Sequence, residues 1–98
     1  MKLLSIGKST RASKKMMAIF ETDSGRTKTV HFGASGYNDY TTTPVGEREK
    51  KKDAYIARHR VNENFNDPDT PGALARWILW NKPTIKASIK DYKKRFGF

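Results

Sequence analysis

Cysteine is absent from this 98-residue sequence, and acidic residues and long apolar runs are scarce. Without cysteine there is no disulfide framework, no thiolate-bound zinc and no thiol nucleophile. No apolar run approaches the roughly 20 residues that a membrane-spanning helix needs. Ten Asp and Glu stand against twenty Lys and Arg, which gives a formal net charge of +10. A surplus of this size creates a positive field, and we therefore expect a polyanionic partner.

The positive charge is concentrated in three segments. Residues 1–15 carry five Lys and Arg and no acid, residues 47–60 carry six against three acids, and residues 82–98 carry six against one. Such cations can displace counterions from a phosphate backbone. The predicted nucleic-acid-binding residues are Lys8, Arg11, Lys14, Lys15, Lys51, Lys52, Arg58, Arg60, Lys86, Lys90, Lys93 and Lys94. A second interpretation stays open for the middle segment, because Glu47, Glu49 and Asp53 could pair with the lysines around them.

A β-hairpin is predicted over residues 16–32. Two strands flank Asp23-Ser24-Gly25, and a three-residue loop that ends in Gly is a common hairpin connection. If Thr22 faces Arg26, the register pairs Phe20 with Lys28, Ala18 with Val30 and Met16 with Phe32. Five of these last six residues are apolar and share one face, and a slip of one residue would scatter them. Leu4 and Ile6 suggest a third, short strand.

Three helices are predicted after the sheet. Thr43-Pro44 and Thr70-Pro71 each combine a capping side chain with a proline at the first helical position. They predict a helix from about Gly46 to about Arg60 and a buried central helix over Gly72–Trp80, which is apolar almost all round. The last helix has an apolar stripe followed by a glycine C-cap. The stripe and cap are Ile85, Ile89, Tyr92, Phe96 and Gly97.

The predicted fold class is therefore α+β, with an antiparallel β-hairpin or small three-stranded sheet followed by three helices. Residues 1–15 are predicted to be a basic N-terminal arm or a short strand. Residues 16–98 are predicted to form a single domain. In the last helix, the lysines lie opposite the apolar stripe and are expected to form an exposed basic ridge.

Four aromatic residues bear on nucleic-acid binding. Tyr37 and Tyr40 lie in an irregular segment beside two glycines and are predicted candidates for base stacking. Trp77 and Trp80 lie in the apolar central helix, and we expect them to be core residues. Within that helix, Arg76 is expected to pair with one of the two aspartates that precede it, Asp67 or Asp69.

The two histidines give little support for catalysis. A nuclease could combine His59, Glu63 and Asp39, and this is the enzyme alternative that the sequence leaves open. His31 lies on a strand with no evident partner. We expect a protein that is not an enzyme, with no catalytic residues, no metal site and no cofactor.

Three motifs resemble a known family. The first runs from His31 to Thr41 (HFGAxGYxDYT), the second is Ala57-Arg58-His59, and the third runs from Asn66 to Thr84 (NDPxTxGALxRWILWNKPT). Together they resemble a family of small basic proteins of unknown function from large DNA viruses and some phages. The resemblance implies a viral source. It implies no mechanism and transfers no site residues.

The functional expectation is a small basic viral protein that binds nucleic acid through backbone electrostatics and helps to condense or package a genome. The alternative is a minor virion protein that cements acidic surfaces of larger capsid proteins. A nucleic-acid-processing enzyme is the further alternative. We expect the protein in the host cytoplasm or nucleus, in the virion, or in both.

Overall fold

The computed structural model describes all 98 residues, Met1–Phe98. Three antiparallel strands in the order β1-β2-β3 precede three helices, which confirms the predicted α+β class. No helix is both long and apolar enough to cross a membrane. The elements are β1 (Lys2–Lys8), β2 (Lys14–Glu21), β3 (Thr27–Ala34), α1 (Val45–His59), α2 (Pro71–Leu74) with its π-helical continuation (Ala75–Leu79), and α3 (Ile85–Phe96).

The β2–β3 hairpin has the predicted register. Phe20 pairs with Lys28, Ala18 with Val30 and Met16 with Phe32. The third strand suggested by Leu4 and Ile6 is present as β1, and it extends from Lys2 to Lys8. It pairs with β2 along its length, with one irregularity between Leu3 and Ser5. The N-terminal residues are therefore part of the sheet rather than a free arm.

The core lies between one face of the sheet and the C-terminal helices. Phe20 and Phe32 are 0% and 1% exposed, and they pack with Leu74 and Ile78 of the central helical segment. Tyr92 of α3 belongs to the same cluster and is also 0% exposed. The predicted apolar stripe of α3 faces the core, because Ile85, Ile89 and Phe96 pack against the same cluster.

Helix caps agree with the sequence at the start of α2 and at the end of α3. Thr70 accepts a hydrogen bond from the Ala73 amide at 3.3 Å, and Gly97 ends α3 in the left-handed conformation. At α1 the predicted Thr43 cap is wrong. The buried Thr43 hydroxyl donates to the Asp39 carbonyl oxygen at 2.7 Å, which closes a turn before the helix, and Pro44 takes the cap position without a side-chain bond.

Candidate nucleic-acid interface

Most of the twenty Lys and Arg side chains have no carboxylate partner. The pairs that form are Lys15 with Asp39 at 2.8 Å, Lys28 with Asp69 at 2.7 Å, and Arg95 with Asp91 at 3.4 Å. Seventeen of the twenty cations are therefore without one. Most of the positive charge on the surface is therefore free to act on a ligand, because a cation held by a carboxylate attracts an anion less strongly.

The predicted binding residues follow the same pattern. Lys15 is held by Asp39, and Lys52 is half-buried and donates to the Asn81 carbonyl oxygen at 3.1 Å. The other ten are exposed and have no carboxylate partner. They are Lys8, Arg11, Lys14, Lys51, Arg58, Arg60, Lys86, Lys90, Lys93 and Lys94.

The acids of α1 do not neutralise its lysines. Glu49 instead accepts a hydrogen bond from the Tyr40 hydroxyl, and neither Glu47 nor Asp53 forms an ion pair. The helix has no buried residue along its 15 positions, so its outer face is open to solvent. The interpretation in which local acids pair with this lysine run is therefore wrong.

The basic ridge on α3 is exposed as the helical spacing predicts. Its members are Lys86, Lys90, Lys93 and Lys94. With 3.6 residues per turn, these positions fall within about 100° of one another around the helix axis. The buried residues Ser88 and Tyr92 lie on the opposite side. Asp91 bonds to the Asn81 amide and to Arg95, so it does not pair with any lysine of the ridge.

A hollow of about 550 Å³ opens beside α1, at the end of the sheet where β2 begins and β3 ends. We call it the aromatic groove, defined by the lining residues Lys14, Tyr37, Tyr55, Arg58, His59 and Trp80. Gly33 forms part of its wall with a φ of +79°, and a Cβ there would lie 2.6 Å from Leu79 Cδ1. The glycine therefore allows the π-helical segment to approach the strand closely.

Three aromatic rings form a column inside the groove. The Tyr55 ring lies 5.0 Å from Trp80 with an interplanar angle of 16°, and 4.1 Å from His59 with an angle of 24°. Burial raises the pKa of Tyr55 to about 12, and the Glu63 carboxylate adds to the increase. The column fixes α1 against the central helical segment and presents aromatic surface to the groove.

The two tyrosines proposed for stacking have different environments. Tyr37 is 74% exposed and lies at the rim of the groove. The prediction for Tyr40 is wrong, because it is only 6% exposed. Its ring is covered by the Arg48 guanidinium at 5.1 Å and the Lys52 ammonium at 5.0 Å, and its hydroxyl is bonded to Glu49. Tyr40 therefore anchors α1 to the preceding loop.

The tryptophans are half-buried rather than central in the core. Trp77 donates from its indole nitrogen to the Phe65 carbonyl oxygen at 2.8 Å. Its ring lies between two guanidinium groups, with Arg76 at 4.1 Å and Arg95 at 3.8 Å from the centroid. The predicted pairing of Arg76 with an aspartate is wrong, because Arg76 donates to the Trp80 carbonyl oxygen at 2.8 Å. Asp69 is paired with Lys28 instead.

The residues of the enzyme alternative line the same groove. His59 Nδ1 lies 3.5 Å from Glu63 Oε1. Asp39, however, already accepts hydrogen bonds from the Lys15 ammonium and from the backbone amide and hydroxyl of Thr41. The carboxylate of Asp39 therefore acts in the loop structure, where it holds β2 to the segment that follows β3.

The aromatic column was not predicted from the sequence. Tyr55 and His59 are four residues apart on α1, and this spacing brings side chains together on one helix face. That signal was available in the sequence. The contribution of Trp80 was not, because it depends on how the central helical segment packs against α1.

The fold and surface define a small basic α+β protein with a groove lined by cations and aromatic rings. The chain belongs to a family of unknown function (DUF5754), which matches residues 4–59. The match includes nearly all of the sheet, the loop with Tyr37 and the whole of α1, and it ends before α2. No curated protein and no solved structure matches the chain with significance.

Proposed function

We propose that this protein binds nucleic acid, mainly through contacts between its lysine and arginine side chains and the phosphate backbone. The observation that carries the proposal is the pairing pattern, in which seventeen of twenty cations have no carboxylate partner. Folding stability does not account for so many unpaired cations, because like charges on a small domain repel one another. A polyphosphate ligand relieves that repulsion and releases counterions.

The distribution of these cations favours an extended polyanion over a small one. Exposed cations lie in the β1–β2 connection, on α1 and on α3, and the molecule measures 44 Å in its longest dimension. A single small anion can contact only one of these surfaces at a time. A nucleic-acid backbone, with one charge about every 1.7 Å of duplex, can contact several. Such binding would suit a protein that condenses or packages a viral genome.

The salt dependence of binding tests the proposal. Fluorescence anisotropy with a labelled duplex should give a dissociation constant that rises steeply with salt, with a slope of about 0.9 per phosphate contacted. We expect a slope that corresponds to at least three contacts, with little difference between duplex sequences. An affinity that does not change with salt contradicts the proposal. A salt-independent complex of fixed stoichiometry with an acidic capsid protein would favour the cementing role instead.

A further inference from the structure

We infer that the aromatic groove binds an unpaired nucleobase, so that the protein prefers single-stranded nucleic acid to duplex. This inference rests on the proposed function and specifies its ligand. Contacts to phosphate alone do not detect whether the faces of the bases are exposed, as in a single strand, or stacked, as in a duplex. The groove adds aromatic surface, and the faces of bases are available to it only where the strand is not stacked in a duplex.

Tyr37 is the first residue that supports this role. Its side chain is 74% exposed, its ring contacts no other aromatic ring or cation, and its hydroxyl forms no hydrogen bond. The preceding Gly36 has a φ of +86°, and a Cβ at that position would meet nothing within 4 Å. A large exposed ring with no partner in the fold has no structural role there, and it is available to stack on a base.

Four residues line both the aromatic groove and a second hollow on the outer side of α1. They are Tyr37, Asn38, Arg58 and Trp80. Two aromatic rings supply stacking surfaces for a base. The Asn38 amide nitrogen forms no hydrogen bond within the protein, so it can donate to an acceptor on a base edge. The Arg58 guanidinium has no carboxylate partner and can bind a phosphate in a bidentate manner.

Cations on both sides of this set extend the binding surface along a strand. Lys14 lines the aromatic groove, whereas Lys50 and Lys51 line the second hollow. All three are exposed. Arg58 and these lysines are therefore the candidate phosphate contacts of a strand whose base lies in the groove. The groove volume of about 550 Å³ lies within the usual range for sites that bind small molecules.

The test compares single-stranded and duplex binding by the parent protein and by two variants of the exposed tyrosine. The probes are labelled oligothymidylate and oligouridylate of about 15 nucleotides, and a duplex of the same length. Tyr37→Ala should weaken binding to the single strands by about 5- to 150-fold and leave duplex affinity unchanged. Tyr37→Phe keeps the ring and should bind as the parent does.

A fluorescence measurement gives an independent result. The chain has two tryptophans, so a Trp77→Phe background leaves Trp80 as the only indole emitter. Its emission should be quenched when the single strand binds, and much less when the duplex binds. Unchanged emission on saturation with the single strand contradicts the placement of a base against Trp80.

Other outcomes overturn the inference in distinguishable ways. If Tyr37→Ala binds single strands as tightly as the parent, or weakens duplex binding equally, the groove is not a base site. Salt-dependent binding of the parent to duplex would leave the proposed function intact in either case. If the parent binds neither single strand nor duplex, the proposed function fails and the base site fails with it.

Discussion

The Tyr92 hydroxyl provides a stringent test of how the core is held together. The residue is 0% exposed, and its hydroxyl donates to the Pro68 carbonyl oxygen at 2.5 Å across the packed interior. Its ring lies 5.1 Å from Phe96 and 5.8 Å from Phe98. Tyr92→Phe removes one oxygen atom, keeps the ring contacts and leaves the half-buried Pro68 carbonyl without this donor.

An unsatisfied buried acceptor costs about 1–3 kcal/mol. A domain of this size is stable by about 5–15 kcal/mol, so the loss is a substantial fraction. For domains of 60–100 residues, each kcal/mol lowers the melting temperature by roughly 4–8 °C. Tyr92→Phe should therefore melt about 5–20 °C below the parent, as followed by circular dichroism.

Tyr37→Phe is the matched control, since it removes the same atom from an exposed side chain that has no hydrogen-bond partner. Its free energy of unfolding should change by less than about 0.5 kcal/mol. If the two variants melt at the same temperature, the Tyr92 hydroxyl does not stabilise the core and the packing described above is wrong.

The pH dependence of stability gives a second measure of the same residue. Burial raises the pKa of Tyr92, and the negative charge of Asp69 adds to the increase. The folded-state pKa is thus above the unfolded value of about 10, so this stability is present below pH 10 and is lost as the pH rises through the folded pKa. Above pH 10 the free energy of unfolding should fall more steeply in the parent than in Tyr92→Phe, by about 1.4 kcal/mol per pH unit.

Two further predictions concern the edges of the core. Trp77→Ala should lower the free energy of unfolding in urea by about 2–4 kcal/mol, toward the low end for buried aromatic residues because the indole is half-buried. Trp77→Phe should cost less than half as much, because it keeps an aromatic ring. Equal costs for the two variants would contradict the ring contacts. The hydrogen bond from Lys28 lowers the pKa of Asp69, so its contribution is present above the unfolded pKa of about 3.9 and is lost as the pH falls through the folded value. Asp69→Asn should therefore cost about 0.5–1 kcal/mol at pH 7 and less at pH 2, and an equal cost at both pH values would rule out the ion pair.

The sheet and the last helix could be predicted because each depends on local periodicity. Alternation along β2 and β3, together with the short turn, predicted the pairing of Ala18 with Val30, since a slip of one residue would expose apolar side chains. The stripe on α3 identified its buried side, and therefore the opposite lysine ridge, by the same reasoning with a period of 3.6. In both elements the nearest neighbours in space follow from the spacing in sequence.

The groove could not be predicted, because its residues come from separate elements. Nothing in the local sequence separates Tyr37 from Tyr40, yet one is exposed and the other is covered by α1. The difference arises because Glu49 of α1 lies where it can accept a hydrogen bond from the Tyr40 hydroxyl. Thr43 similarly matches the pattern of a helix cap, but its hydroxyl donates to the Asp39 carbonyl oxygen and Pro44 takes the cap position. The environment of Tyr40 depends on how α1 packs against the preceding loop.

The α3 ridge offers the most direct test of the claim that unpaired surface lysines bind nucleic acid. Lys86→Gln, Lys90→Gln and Lys94→Gln together remove three exposed charges, and glutamine has nearly the same helix propensity as lysine. The measurement is the dissociation constant of this triple variant and of the parent for one duplex over a series of salt concentrations. We expect an unchanged melting temperature, weaker binding at low salt and a salt slope smaller by up to about three units, one for each lost phosphate contact. A folded triple variant with the affinity and salt slope of the parent would contradict the claim that the ridge contacts phosphate.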